Sequence, residues 1–211
     1  MKKIKKVLVS LTAATVSAAS LCIVPSASAG VSGKYSTYSY YFKAEPNTYI
    51  GFCEANASYN TGNVEFYRNS NGELGGKFSV SNTGSGTMRK ITVDYRNSSP
   101  TKEEGYFGYV TFKTTSELPS FEVTSLVNDR GNNLIVDESI EITRILIGDA
   151  NQDGRVEIAD ATLILQSLTG NSAYQLTEPG KLAADVNFDG VVTEDDALLI
   201  QQLDARVING F

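Results

Sequence analysis

The sequence DANQDGRVEIAD at residues 149–160 recurs further along the chain as DVNFDGVVTEDD at residues 185–196. Over the 20 positions that begin at residue 149, ten are identical in the second copy. Each copy carries acidic or amide side chains at its first, third and fifth positions and a glycine at its sixth. An internal repeat indicates that one structural unit occurs more than once in the fold. This repeat predicts two copies of the same small unit.

The spacing of the oxygen-bearing side chains in both copies suits calcium. Calcium takes about six to eight oxygen ligands, and an EF-hand loop of roughly twelve residues supplies them from positions 1, 3, 5, 7, 9 and 12, with glycine at position 6 for a sharp turn. In the first copy the predicted ligands are Asp149, Asn151, Asp153, the carbonyl of Arg155, Glu157 directly or through a water, and Asp160. In the second copy they are Asp185, Asn187, Asp189, the carbonyl of Val191, Thr193 and Asp196. The sequence therefore predicts two bound calcium ions.

Each loop differs from an ordinary EF-hand in two respects. Position 12 is aspartate in both copies, where the ordinary loop has a longer glutamate. The alternating pattern of residues 139–147 predicts a strand, not a helix, before the first loop. Each unit is thus predicted to be a loop followed by one helix, and residues 178–184 are predicted to form a short connecting helix. The predicted apolar stripes are Ala161, Ile164, Leu165 and Leu168 on the first helix, ended by Gly170, and Ala197, Ile200 and Leu203 on the second.

A duplicated calcium loop with one helix per copy resembles the dockerin family, and the resemblance covers residues 148–211. It implies that the loops chelate calcium and that the two helices present a face to a partner domain called cohesin. It also implies that loop positions 10 and 11 and the following helical turns select the partner. The predicted partner-binding residues are Ile158, Ala159, Leu165, Gln166, Glu194 and Asp195. Because the two copies differ at positions 10 and 11, a single binding mode is expected; alternatively, Ile158 packs inside the module's own core.

Residues 30–147 alternate apolar and polar side chains in nine short runs, which predicts an antiparallel β-sandwich or jelly roll. The predicted strands are 35–43, 49–59, 64–68, 77–81, 90–95, 106–114, 121–127, 134–136 and 140–147. The chain is therefore predicted to be multidomain, with an all-β domain at 30–147 followed by a small all-α module at 148–211.

Several segments of the β domain are similar to cohesin sequences. IGFCEANASYN at 50–60, followed by VEF at 64–66, resembles an early cohesin strand, and EGYFGYVTFK at 104–113 resembles a late one. DRGN at 129–132 before the closing strand fits the family's ending, although the domain is shorter than a typical cohesin. The resemblance implies a non-catalytic adaptor that receives an enzyme-borne dockerin on this domain.

Two other functions remain open for the β domain. It could be a carbohydrate-binding module that stacks sugars on tyrosines, because Tyr35, Tyr38, Tyr40 and Tyr41 are close in sequence; packing on an edge strand is the alternative role for these rings. It could instead be a small glycosidase that uses two carboxylates, although about 117 residues leave little room for an enclosed cleft. The candidate carboxylates are Glu54, Glu65, Asp94, Glu103 and Glu104.

The start of the chain and its composition restrict the function further. Residues 1–29 have four lysines, an apolar stretch and a small-residue site, which predicts a cleaved signal peptide, a secreted protein and no membrane insertion afterwards. The remaining chain has 14 basic and 24 acidic residues, a surface that repels nucleic acid. Cys53 is its only cysteine, so an internal disulfide is excluded. The absence of histidine excludes Ser-His-Asp and Cys-His catalysis.

Overall fold

The computed structural model describes residues 35–46, 48–70, 72, 74–99, 105–115, 118–127 and 140–211. The predicted signal peptide, Glu103, Glu104 and the predicted strand at 134–136 lie outside these residues. The chain divides into two compact units. Within the described residues, one unit comprises Tyr38–Arg144, and the other comprises residues 35–37 together with Ile145–Phe211.

The first unit contains two four-stranded sheets that face each other as a β-sandwich. One sheet has the strand order β3-β6-β1-β8 and the other has the order β4-β5-β2-β7. The strands are β1 Ser36–Ala44, β2 Phe52–Asn60, β3 Val64–Asn69, β4 Lys77–Thr83, β5 Met88–Arg96, β6 Gly105–Thr114, β7 Glu122–Val127 and β8 Ile140–Leu146. The predicted sandwich is therefore confirmed, and its strand boundaries agree with the predictions to within a few residues.

The core of the sandwich is aromatic and joins the two sheets. Phe42 of β1 packs against Phe78 of β4 at a ring-centroid distance of 5.6 Å, and Phe112 of β6 packs against Tyr59 of β2 at 5.4 Å. Edge-to-face aromatic pairs add to the hydrophobic gain of burial. Cys53 is a fully buried residue of the same core. Burial raises the pKa of its thiol, so the thiol stays protonated.

The tyrosines of β1 do not occupy an edge strand, because β1 lies between β6 and β8 in its sheet. Tyr40 is a core residue with 1% exposure, and Tyr41 is buried against Tyr106 and Tyr109. The prediction of edge-strand packing is wrong, because the sequence does not reveal which strand pairs with which. Burial of Tyr40 and Tyr41 also removes these rings from a sugar-stacking surface.

A buried hydroxyl pair, Ser39 and Thr111, lies on the strands β1 and β6. Their side-chain oxygens are 2.7 Å apart and both residues are 0% exposed. Thr111→Val should reduce the free energy of unfolding by about 1–3 kcal/mol, because it leaves the Ser39 hydroxyl buried without this partner. The double variant Ser39→Ala with Thr111→Val should lose less, since it removes both polar groups. Urea denaturation of the two variants measures the difference, and equal losses would contradict the account.

The second unit contains three helices: α1 Ile158–Leu168, α2 Glu178–Ala184 and α3 Glu194–Asp204. A short 3-10 helix at Ser172–Tyr174 lies between α1 and α2. Helices α1 and α3 pack against each other. The predicted connecting helix and the absence of a helix before the first loop are both confirmed, because β8 ends at Leu146 and the first loop follows. Gly170, with φ of 76°, follows the C-cap of α1 as predicted.

Candidate calcium-binding and docking site

The first loop, residues 149–160, is folded around the carboxylate of Asp149. One oxygen of Asp149 accepts a hydrogen bond from the backbone N–H of Asp153 at 3.0 Å, and the other accepts one from Gly154 at 2.9 Å. Asp153 in turn accepts from the backbone N–H of Arg155 at 2.9 Å and from the Asn151 amide at 3.1 Å. These bonds link the predicted ligands of positions 1, 3 and 5 to one another within the loop.

The second loop, residues 185–196, repeats this geometry. Asp185 accepts from the backbone N–H groups of Asp189 at 3.1 Å and Gly190 at 3.0 Å. The glycines at position 6, Gly154 and Gly190, have φ of 89° and 90°, which only glycine adopts without strain. The repeat in the sequence is therefore a repeat in backbone geometry.

Position 4 of each loop adopts the same left-handed conformation without being glycine. Gln152 has φ of 64° and Phe188 has φ of 60°. Sequence reasoning did not identify these residues, because neither side chain indicates a positive φ. Both residues stand at position 4 of loops that share one sequence pattern, and this shared position is the signal that could have identified them.

The aspartates at position 12, Asp160 and Asp196, link each loop to the helix that follows. Asp160 accepts from the backbone N–H of Glu157 at 2.9 Å and of Asn151 at 3.0 Å. Asp196 accepts from the backbone N–H of Thr193 at 2.9 Å and of Asn187 at 3.3 Å, the equivalent positions, and also from Val186 at 3.0 Å. Both carboxylates are 0% exposed and occupy position N3 of a capping box, which begins α1 or α3. The same side chain therefore closes the loop and caps the helix.

The loops concentrate negative charge in poorly hydrated positions. The pKa of Asp149 is raised to about 6, mainly by burial. The nearby carboxylates of Asp160 and Asp153 also raise this pKa, and the hydrogen bonds that Gly154 and Asp153 donate lower it. Burial likewise raises the pKa of Asp160 and of Asp185. Ionising a poorly hydrated carboxylate costs free energy, and a bound cation lowers that cost. These loops are therefore suited to hold a cation.

The donor chemistry of the loops fits calcium. All the predicted side-chain ligands offer oxygen, the donor that hard cations prefer, and none offers nitrogen or sulfur. Within the described part of the chain, no group of three or more His, Cys, Asp and Glu side chains is arranged to hold a metal ion on its own. Amide, hydroxyl and backbone carbonyl oxygens must therefore complete each shell, as in EF-hand loops.

The raised pKa of Asp149 predicts a pH dependence for the metal-free protein. A carboxyl group with a folded-state pKa near 6 favours the folded state when protonated. That contribution is complete below the ordinary pKa of about 4 and is lost as the pH rises through about 6. In EDTA, the helical circular-dichroism signal should therefore be stronger at pH 5 than at pH 7.5. Asp149→Asn should flatten this dependence; an unchanged pH profile in that variant would contradict it.

The predicted partner-binding residues of α1 lie at the surface. Ile158 is 52% exposed and Leu165 is 39% exposed, and Ala159 is also exposed. The alternative in which Ile158 packs inside the module's core is therefore wrong. Leu165 and Leu168 do not belong to the buried stripe either, because only Ala161 and Ile164 of that predicted stripe are buried. The predicted stripe is too wide, because an apolar leucine at the border of a helix face can be buried or exposed.

The remaining predicted partner-binding residues are also accessible. Gln166 is half-buried on α1, and Glu194 and Asp195 are exposed at the start of α3. The predicted inner stripe of α3 is confirmed, since Ala197, Ile200 and Leu203 are buried.

Helix α2 packs tightly against the first loop. The backbone N–H of Gly148 donates to the carbonyl of Ala183 at 2.7 Å. A Cβ added at Gly180 would lie 2.7 Å from the carbonyl oxygen of Ala150, so only glycine fits there. The Thr177 hydroxyl caps α2 and donates to the Gln152 side chain at 3.1 Å. Sequence reasoning predicted α2 but not these contacts, which depend on how α2 folds back onto the loop.

The model of the dockerin type I domain matches residues 147–203. Residues 147–203 are a dockerin type I domain. The match includes both calcium loops and nearly all of α3, so it covers the repeat that the sequence revealed. Dockerin domains are non-catalytic and bind calcium, which agrees with the geometry of the two loops.

Comparison with known proteins gives a relative for part of the chain. A xylanase/beta-glucanase from Ruminococcus flavefaciens is 41% identical over 71 residues, which cover 29% of this chain and 9% of the relative. The chain thus spans less than a tenth of that relative's length. Among solved structures, a non-cellulosomal cohesin from the archaeon Archaeoglobus fulgidus aligns with 48% of this chain and 74% of its own, at 18% identity and a TM-score of 0.35.

The sandwich carries its own group of exposed or half-buried polar side chains, on the outer face of the β4-β5-β2-β7 sheet. Asn56 on β2 accepts from the Thr92 hydroxyl on β5 at 2.6 Å and donates to Thr124 on β7 at 3.0 Å. Thr124 donates to Glu54 at 2.7 Å. These four residues, which we call the polar network, connect the three adjacent strands β5, β2 and β7. No helix in the described residues is long and apolar enough to cross a membrane.

The other candidate carboxylates of the sandwich are spread out. Glu54 is in the polar network and lies opposite Asp94 in the pairing of β2 with β5. Glu65 is on β3, in the other sheet. Glu54 and Asp94 therefore share an open sheet face, whereas Glu65 cannot join them.

Proposed function

We propose that this protein is a non-catalytic adaptor of an extracellular polysaccharide-degrading complex. Its dockerin domain binds a cohesin domain of a scaffold protein in a calcium-dependent manner, and its sandwich binds the dockerin of another component. The relative that shares part of this sequence is a xylanase/beta-glucanase, which supports a complex that degrades polysaccharides of the plant cell wall.

The observation that carries the dockerin half is an apolar stripe along the exposed side of α1. Ile158, Leu165 and Leu168 are 52%, 39% and 42% exposed. Their spacing of seven and three residues puts them on one side of the helix, because a helix repeats about every 3.6 residues. Large apolar residues aligned at a surface are characteristic of a protein-binding site. We therefore assign this stripe, together with Ala159 and Gln166, to cohesin binding.

The calcium loops hold this surface in place. The ligands that would hold the two ions are the twelve residues predicted from the repeat, six in each loop. Bound calcium neutralises their carboxylates and completes the oxygen shell of each loop. Because Asp160 and Asp196 also cap α1 and α3, a filled loop fixes the start of the helix beside it. The stripe is therefore ordered only when its loop is ordered.

The two helices offer different surfaces, which favours a single binding orientation. The position of Ile158 on α1 corresponds to Glu194 on α3, that of Leu165 to Gln201, and that of Leu168 to Asp204. Leu198, 49% exposed, is the one large apolar side chain on the corresponding side of α3. Rotating the domain to exchange the helices would place acidic groups where the partner meets leucine and isoleucine. Such an exchange leaves charges desolvated without partners and is unfavourable.

The polar network supports the second half of the proposal. Its side chains are held by one another across β5, β2 and β7, so a partner need not order them on binding. Preorganised polar groups on a flat sheet suit the rigid helical surface of a dockerin. The opposite sheet is less suitable at its centre, where Ser39, Tyr41 and Thr111 are buried.

A binding screen with the full chain tests both halves. The immobilised protein is exposed, in calcium and in EDTA, to cohesin domains, to dockerin domains and to polysaccharides. We expect calcium-dependent capture of a cohesin and of a dockerin. Asn56→Ala should weaken only the dockerin, and Ser79→Ala, on the exposed side of the edge strand β4, is the matched control. Retention on polysaccharide without dockerin capture would replace the adaptor role of the sandwich with sugar targeting; failure to capture any cohesin would refute the dockerin half.

A further inference from the structure

The two calcium loops have the same backbone geometry but differ in one ligand position. The hydrogen bonds of Asp149 and Asp185 agree within 0.1 Å. The position-12 carboxylates also accept N–H groups at equal distances of 2.9 Å. Among the six ligand positions, the difference that changes charge is position 9, which is Glu157 in the first loop and Thr193 in the second. The first loop thus has four carboxylates and the second has three.

The environment of the position-1 aspartate differs as well. Asp149 is 7% exposed and counts as buried, whereas Asp185 is half-buried. Helix α2 contacts the residues on either side of Asp149, Gly148 and Ala150. A cation that binds beside a buried carboxylate offsets a larger desolvation cost than one beside a hydrated carboxylate.

We infer that the two loops bind calcium unequally, the first loop filling at lower calcium concentration than the second. This inference rests on the calcium-dependent docking proposed above and adds an order of events to it. The affinity of such loops rises with the number of charged ligands, and the first loop has four carboxylates where the second has three. The first loop caps α1, which carries the apolar stripe. The cohesin-binding surface therefore forms at a calcium concentration that leaves the second loop empty.

Charged side chains that are not themselves ligands act in the opposite direction. Arg155 adds a positive charge to the first loop, and Glu194 and Asp195 add negative charges beside the second. All three side chains are exposed, so salt and water screen their effect. A charged ligand in direct contact with the ion is screened much less. The preference for the first loop should therefore persist, and increase, when the salt concentration is raised.

Calcium titration of four full-length variants by isothermal calorimetry tests this inference. Asp149→Asn disables the first loop and Asp185→Asn disables the second. We expect Asp185→Asn to retain a dissociation constant lower by on the order of tenfold than that of Asp149→Asn. With both position-1 aspartates kept, Glu157→Thr should weaken the tighter calcium-binding event and Thr193→Glu should strengthen the weaker one. The test therefore survives if one of the four variants does not fold.

Each outcome of this titration has a defined meaning. Equal constants in the two single-loop variants, or a tighter second loop, would overturn the inference and leave the docking function intact. Absence of calcium binding in the unsubstituted protein would instead refute the calcium-dependent docking on which it rests. The inference is supported if the protein captures cohesin at a calcium concentration that fills only one site. Asp185→Asn should retain this capture and Asp149→Asn should lose it.

Discussion

Removal of calcium with EDTA at pH 7.5 should abolish most of the helical circular-dichroism signal, because α1, α2 and α3 are the α-helices of the described residues. The helical unit buries mainly small and branched side chains, among them Ala161, Ile164, Ala197 and Ile200. Such a small core contributes little stability of its own. It must also hold Asp149, Asp160 and Asp196 in buried positions. Without a cation the cost of these carboxylates exceeds the gain from packing, and the unit unfolds.

The sandwich supplies an internal control for this experiment. Its aromatic core does not involve the calcium loops, so its thermal transition should remain in EDTA while that of the helical unit disappears. Addition of excess calcium should restore the helical signal. Magnesium should restore it less well, because that smaller ion requires shorter, more regular octahedral coordination. A helical signal of equal strength in EDTA and in calcium would refute the requirement for metal.

Ile158→Asp should weaken cohesin binding by roughly 30-fold or more, which corresponds to at least about 2 kcal/mol, the range of an interface hot spot. The substitution places a carboxylate at one end of the apolar stripe, where contact with the cohesin removes its water and supplies no partner. Because Ile158 is 52% exposed in the free protein, its replacement should leave the calcium-bound melting temperature nearly unchanged. Calorimetry with the cognate cohesin measures the effect.

Glu194→Ala is the matched control, because Glu194 occupies the same position in the second repeat. A single orientation through α1 predicts a change of less than about threefold for Glu194→Ala, in keeping with the small effect of surface charges outside the contact. If the two helices were interchangeable in the complex, each single substitution would leave one orientation available. Near-normal affinity in both single variants and a large loss only in the double variant would contradict the single orientation.

The sequence alone predicts most of this architecture, for identifiable reasons. The calcium loops follow from the spacing of Asp149, Asn151 and Asp153 and from glycines that the turn requires, so their geometry is local. The strands follow from alternation, which is also local. The short helix α2 lies at the predicted residues, 178–184, and Thr177 caps its start.

Features that depend on distant parts of the chain were not predictable. The interior place of β1 depends on its pairing with β6 and β8, which are about 70 and 100 residues further along the chain. The exposure of Leu165 and Leu168 depends on where α3 meets α1. The contacts of α2 with Gly148 and Ala150 depend on how α2 folds back onto the first loop. In each case the local sequence determines the helix or strand itself, whereas its neighbours and its exposure depend on how other helices and strands pack against it.

The double role of Asp160 and Asp196, each a predicted metal ligand and a helix cap, has a consequence for biosynthesis. Free calcium inside cells is held orders of magnitude below the concentration of about 10⁻⁴–10⁻³ M to which extracellular calcium modules are tuned. A newly made chain should therefore have its α1 and α3 starts unformed, with no finished docking surface. In the secreted adaptor proposed above, such a chain would lack a finished docking surface while it is still in the cytoplasm. The calcium gradient across the cell envelope would then be the signal for assembly, because the docking surface would form only outside the cell.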